Sequence, residues 1–146
     1  MRIPRPKSAA SVDACHVLQL PKIADPRGNL TFIEGGRHLP FEIRRVFYLY
    51  DVPGGSTRAG HALRSCQQFL VALSGAFDVL LDDGVEKQRF HLNRAHFGLY
   101  VAPLVWRELD NFSGNSVCLA LASEPYEPAG YLREYEDFLA AVRDGG

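Results

Sequence analysis

The sequence predicts an all-β fold, a sandwich or barrel, with one short C-terminal helix. Three features carry that expectation. Short apolar or alternating runs fill the middle of the chain, turn residues punctuate them at regular spacing, and a helical period emerges only near the end. At 146 residues the chain is expected to form a single domain, 1–146, long enough for a sizeable core.

The elements follow in order. "MRIPRPKSAASVDACHVLQL" begins with basic residues but lacks an apolar stretch of signal-peptide length. Residues 1–14 read as a loose tail, and a first strand is expected near His16–Leu20. "LTFIEG" follows the turn "DPRGN", and "IRRVFYLYDV" ends at "PGGS". "QQFLVALSGAFDVLLDDG" reads as two strands joined at "SG" and closed by a "DDG" turn. "VEKQRFHLN" is a short amphipathic strand, and "FGLYVAP", "WRELDNF" and "SVCLALAS" follow at similar spacing. "GYLREYEDFLAAVRDGG" then sets Tyr131, Tyr135, Phe138 and Val142 at helical intervals, a stripe suited to packing against the barrel. Its polar face carries Arg133, Glu134, Glu136 and Asp137. No repeat, linker or low-complexity segment marks a second domain.

Composition excludes several classes of function. A net charge of −1, with both signs mixed along the chain, leaves no electrostatic footprint for nucleic acid or an anionic membrane. The longest apolar runs, such as "VCLALA", are far too short to span a bilayer. Cys15, Cys66 and Cys118 are odd in number, widely spaced and without a CxxC pair. Reduced thiols in a cytoplasmic protein are therefore expected, rather than disulfides or a zinc knuckle.

The stretch "GSTRAGHALRSCQQFLVALSG" carries the chemistry. Its spacing resembles the first motif of the cupin family, G-x5-H-x-H-x3/4-E-x6-G, with Gly55, His61 and Gly75 in register. Leu63 stands at the second histidine position and Gln68 at the glutamate. "APLVWRELDN" resembles the second motif, where Pro103 and Asn111 fit and Arg107 replaces the histidine. One potential ligand, His61, is left. Leucine cannot coordinate, an amide is a poor substitute for a carboxylate, and a guanidinium brings positive charge to the ion's place. The expected pocket is cationic, holds no metal or other cofactor, and favours an anionic ligand.

Further cations surround it. Arg27 lies in a turn, Arg44 and Arg45 begin a strand, and Arg58 and Arg64 flank His61. Strand alternation sends Arg44 and Arg45 to opposite faces and puts Arg45, Phe47 and Leu49 on one face, as it does His61 and Leu63. Arg107 is the arginine whose register aims it at the pocket.

From about Asp25 to Phe138 the chain resembles the sugar 3,4-ketoisomerases of the WxcM-like family. The matching segments, in order, are "DPRGNLTFIE", "PFEIRRVFYLYDVPG", "RAGHALRSCQQFLVALSG", "LDDG", "FGLYVAPLVWRELDNFS" and "LASEPYEPAGYLREYEDFL". The resemblance implies a metal-free cupin jelly roll, a double-stranded β-helix, usually a homodimer that exchanges N-terminal strands. It also implies a dTDP-linked 4-keto-6-deoxyhexose as substrate and a part in deoxysugar biosynthesis. On that footing His61 is the expected base, with Arg27, Arg107 and Tyr48 polarising sugar oxygens. Arg45 and Arg64 become candidates for the diphosphate, and Arg58, Trp106, Glu108 and Tyr135 for further substrate contacts. A histidine titrates near neutral pH and can take and return a proton there. Two alternatives stay open at Leu63: a cupin that binds a nucleotide-sugar without turning it over, or an epimerase or isomerase of another nucleotide-sugar.

Other residues are expected to be structural. His91 and His96 flank a turn at a separation that fits no metal pattern. Cys66 is expected on the same strand as Leu63, facing away from His61. The Asp82–Asp83–Gly84 carboxylates read as a hairpin turn.

Overall fold

Alternating apolar residues build two sheets in the computed structural model, which describes residues 11–145. The strands are β1 (His16–Gln19), β2 (Lys22–Ile23), β3 (Leu30–Thr31), β4 (Arg45–Tyr50), β5 (Arg58–Leu63), β6 (Gln68–Ser74), β7 (Phe77–Asp82), β8 (Lys87–Leu92), β9 (Phe97–Val101), β10 (Trp106–Asp110), β11 (Val117–Ala122) and β12 (Tyr131–Leu132). One sheet runs β1-β9-β6-β11-β4 and the other β12-β5-β10-β7-β8, while β2 and β3 form a separate ribbon. The pairings are antiparallel and the neighbours in each sheet come from distant parts of the chain, which is jelly-roll connectivity.

The two sheets face each other across an interior of Leu70, Phe77, Val79, Leu81, Leu99, Val101 and Leu109. Burying each such side chain stabilises the fold by about 1.5–3 kcal/mol before chain entropy is counted. Gly75 turns β6 into β7 with φ 67, in the left-handed region where a Cβ would also meet the Ser113 hydroxyl at 2.6 Å. The "DDG" segment is the expected hairpin: the Asp83 carboxylate accepts the backbone N–H groups of Val85 and Glu86.

The helix α1 (Tyr135–Gly145) lies over the second sheet, where Phe138 packs on Trp106, Ala62 and Leu132. No helix among the described residues is long and apolar enough to cross a membrane.

Three expectations need correction. The tail is not loose up to residue 14: residues 1–10 lie outside the described residues, but Val12–Ala14 forms a 3-10 turn. Val12 is buried there and its N–H donates to the Asp83 carboxylate at 2.8 Å, which ties the segment down. Tyr131 does not begin the helix. Tyr131 and Leu132 pair with Leu63 and Ala62 as β12, and Arg133 and Glu134 precede the helix. Pro128 and Gly130, in the 3-10 turn just before, interrupt any helical run. Cys66 is not on the strand of Leu63, because β5 ends there and Cys66 sits in the turn leading to β6.

Candidate active site

Between the sheets lies a cavity of about 100 Å³, lined by Phe47 and Leu49 of β4, Arg58, Ala59 and His61 of β5, Gln68 and Leu70 of β6, Arg107 and Leu109 of β10, and Cys118 and Ala120 of β11. Strand alternation explains the lining: odd residues of β4, β5 and β10 point inward and their neighbours point out. On β5 the alternation is broken by a bulge. Ala59 and Gly60 take φ values of 70 and 73, and the register against β10 shifts next to Arg107. For Ala59 this conformation costs about 1–2 kcal/mol. The bulge bends β5 immediately before His61, which faces Arg107 as its direct cross-strand partner.

The polar groups here are unusual. Arg107 is 1% exposed. Its Nη1 donates to the Gln68 Oε1 at 2.8 Å and its Nη2 to the Val105 carbonyl at 3.0 Å, while its Nε has no partner among the described residues. The His61 Nε2 is likewise buried without a partner. Buried polar atoms left unpaired are costly, and two in one cavity mark a place for a ligand that supplies what they lack.

Electrostatics follow from the geometry. Burial, then the charges of Arg107 and Arg133, lower the His61 pKa to about 3, so the imidazole is neutral and available as an acceptor. Burial lowers Arg107 to about 10, which leaves it a cation at neutral pH. Burial raises the Cys118 thiol to about 12, so it lines the cavity as an uncharged group.

Tyr131 closes the site over His61, ring centroids 4.9 Å apart. The Arg45 Nη1 donates to the Tyr131 hydroxyl at 2.9 Å, and its guanidinium lies over the rings of Phe47 and Tyr126. The Arg133 guanidinium covers the Tyr131 ring at 4.6 Å. Sequence reasoning missed Tyr131 and Arg133 because the helical stripe absorbed them. The "EPAGY" break before them was the signal that could have separated them.

The expected site residues divide into two groups. His61, Arg107 and Arg58 line the cavity, while Arg45 lies outside its lining and hydrogen-bonds Tyr131, the ring packed against His61. Leu63 shares the His61 face but is buried beside Arg45, Cys66 and Tyr131. Arg64 lies exposed in a shallow groove between β12 and α1. Trp106 and Glu108 alternate with Arg107 and therefore occupy the opposite face of β10, with the Trp106 Nε1 directed at the Glu108 carboxylate at 3.4 Å. Tyr135 joins Trp106 beneath the helix and donates its hydroxyl to Asp82 at 2.8 Å. Tyr48 points outward from β4 and is 60% exposed. Arg27, at the turn between β2 and β3, pairs with Asp25 at 2.9 Å and extends into solvent. Within one chain, these last five side chains do not reach the cavity.

The donor set does not fit a divalent metal. Leu63, Gln68 and Arg107 occupy the remaining motif positions, and the guanidinium is fixed within the cavity. Among the described residues no three His, Cys, Asp or Glu side chains gather as a possible metal site.

Comparison with known proteins bears on this arrangement. The family described as WxcM-like, C-terminal (FdtA) matches residues 13–143. The TDP-4-oxo-6-deoxy-alpha-D-glucose-3,4-oxoisomerase of Aneurinibacillus thermoaerophilus is 42% identical over 122 residues, covering 84% of this chain and 88% of that protein. The crystal structure of QdtA, a sugar 3,4-ketoisomerase from Thermoanaerobacterium thermosaccharolyticum in complex with TDP, superposes with a TM-score of 0.87 at 36% identity. That match covers 89% of this chain and 95% of QdtA. The WlaRB TDP-quinovose 3,4-ketoisomerase from Campylobacter jejuni superposes with a TM-score of 0.83 at 40% identity, covering 86% of this chain and 97% of its own.

Proposed function

The chain belongs to the WxcM-like (FdtA) family, and on that footing we propose that it is a 3,4-ketoisomerase of a TDP-linked 4-keto-6-deoxyhexose. The observation that carries the reading is the pairing of His61 and Arg107 across β5 and β10, a neutral base and a buried cation in one largely apolar cavity.

The chemistry balances with these groups. The imidazole takes the proton from carbon 3, and that C–H electron pair forms a carbon 3–carbon 4 double bond as the carbon-4 carbonyl becomes an oxyanion. Arg107 faces the developing charge; a preorganised donor in a water-poor site is worth about 3 kcal/mol or more to such a step. The proton of the neighbouring carbon-3 hydroxyl passes to the carbon-4 oxygen, which leaves the negative charge of the enediolate on the carbon-3 oxygen. Carbon 4 then takes the proton back from the histidinium as the carbon-3 oxyanion collapses to the ketone. No electron leaves the substrate. The apolar walls, Leu70, Leu109 and Ala120, exclude water from the intermediate.

Arg45, Arg58 and Arg64 are proposed to meet the diphosphate, whose fork-shaped oxygens match guanidinium geometry. The assembly is proposed as a homodimer. The outer face of the first sheet exposes Val46, Tyr48, Tyr50 and Leu73, and a groove of about 710 Å³ opens beside them. Exchange of the N-terminal strands between two copies would move the exposed Arg27 turn away from its own chain and toward the partner. The free cysteines suit a cytoplasmic setting.

The test is proton NMR of TDP-4-keto-6-deoxyglucose with the protein in deuterated buffer. Loss of the carbon-3 proton signal with growth of a 3-keto product supports the isomerase. No exchange, with TDP still bound, would instead assign a nucleotide-sugar-binding protein.

A further inference from the structure

Resting on the isomerase reading, we propose that Gln68 is a positioning residue: its amide oxygen fixes the Arg107 guanidinium in the cavity without cancelling the positive charge that the enediolate requires. Gln68 is 3% exposed and Arg107 1%, so their 2.8 Å hydrogen bond lies wholly inside the barrel. The other hydrogen-bond acceptor for the guanidinium is a backbone carbonyl, that of Val105. The ionisable groups felt by Arg107 are the thiols of Cys15 and Cys66 and the phenol of Tyr131, none of them a carboxylate. Among the described residues Arg107 is held by neutral acceptors alone, an exception to the rule that buried charges are paired.

The residue type at position 68 decides this. A carboxylate there would accept the same hydrogen bond with more strength, but it would form an ion pair and consume the charge. The amide keeps the geometry and leaves the field. The same field reaches His61, whose imidazole faces Arg107 from β5, Tyr131 from β12 and Arg133 just beyond it. Gln68 thus acts through Arg107 and need not touch the reacting atoms.

Gln68→Glu and Gln68→Met separate charge from position. In Gln68→Glu the folded protein should lose about tenfold or more in kcat with KM within about threefold of wild type. The His61 imidazole, followed by NMR of histidine-labelled protein, should titrate at higher pH than in wild type. In Gln68→Met the acceptor is lost and no charge is gained, so kcat should fall while the His61 titration does not rise. A kcat within twofold of wild type in either folded variant overturns the proposal, as does an unmoved His61 titration in Gln68→Glu. If wild type fails to turn over the sugar, the isomerase reading falls, and the histidine titration still decides whether Gln68 leaves the Arg107 charge uncancelled.

Discussion

His61 and Arg107 are direct cross-strand partners on β5 and β10, and each presents a buried nitrogen with no partner to the same cavity. An isolated imidazole would be a weak site, and an isolated guanidinium an expensive one. Together they supply an acceptor for a proton and a stabiliser for the charge that its removal creates.

Arg107→Met removes the charge and keeps most of the volume. It should lower kcat by about 10²–10³-fold, the range for loss of a preorganised oxyanion donor. The His61 titration should move upward, because one of the two charges holding its pKa down is gone. Steady-state kinetics and histidine NMR read the two effects separately.

His61 also links stability to acidity. Its pKa is about 3 folded, against about 6.5 for a free histidine, so between these values the unfolded chain binds a proton that the folded chain does not. The contribution is fully present above pH about 6.5 and is lost as pH falls from there toward 3. Urea midpoints measured across this window should fall less steeply for His61→Asn than for wild type.

Leu63 is a packing residue. It is 2% exposed among Arg45, Cys66 and Tyr131, on the face that His61 shares. Leu63→Ala should cost about 2–5 kcal/mol by leaving a cavity. Denaturant melts check this, and the pH dependence of turnover in the surviving folded protein should match wild type.

Much of this was legible in the sequence, for physical reasons. The period-two runs became β4 to β11 with small shifts at their ends, since burial on one face fixes register strongly. The inward aim of His61 and Arg107 followed from motif spacing. The assignment of Tyr131 failed because its spacing to Tyr135 and Phe138 mimics a helix, whereas two residues of pairing with β5 outweighed that periodicity. Trp106 and Glu108, expected to contact substrate, flank Arg107 in sequence, but alternation puts adjacent strand residues on opposite faces. The Gln68–Arg107 hydrogen bond joins residues 39 apart in the chain, and no local pattern announces it.

Assembly can be checked at Tyr48. This residue is 60% exposed on the outer face of the first sheet, so Tyr48→Asp should leave the folded chain intact. In the proposed dimer the charge would be buried against a partner, and light scattering should report a shift toward monomer. An unchanged dimeric mass would place the interface elsewhere.

The most direct measurement is carbon-3 proton exchange of TDP-4-keto-6-deoxyglucose in deuterated buffer by His61→Asn, run beside TDP binding by the same variant. Exchange should fall below a few per cent of wild type with TDP affinity nearly unchanged. Exchange persisting well above that level in the variant would contradict the assignment of His61 as the base.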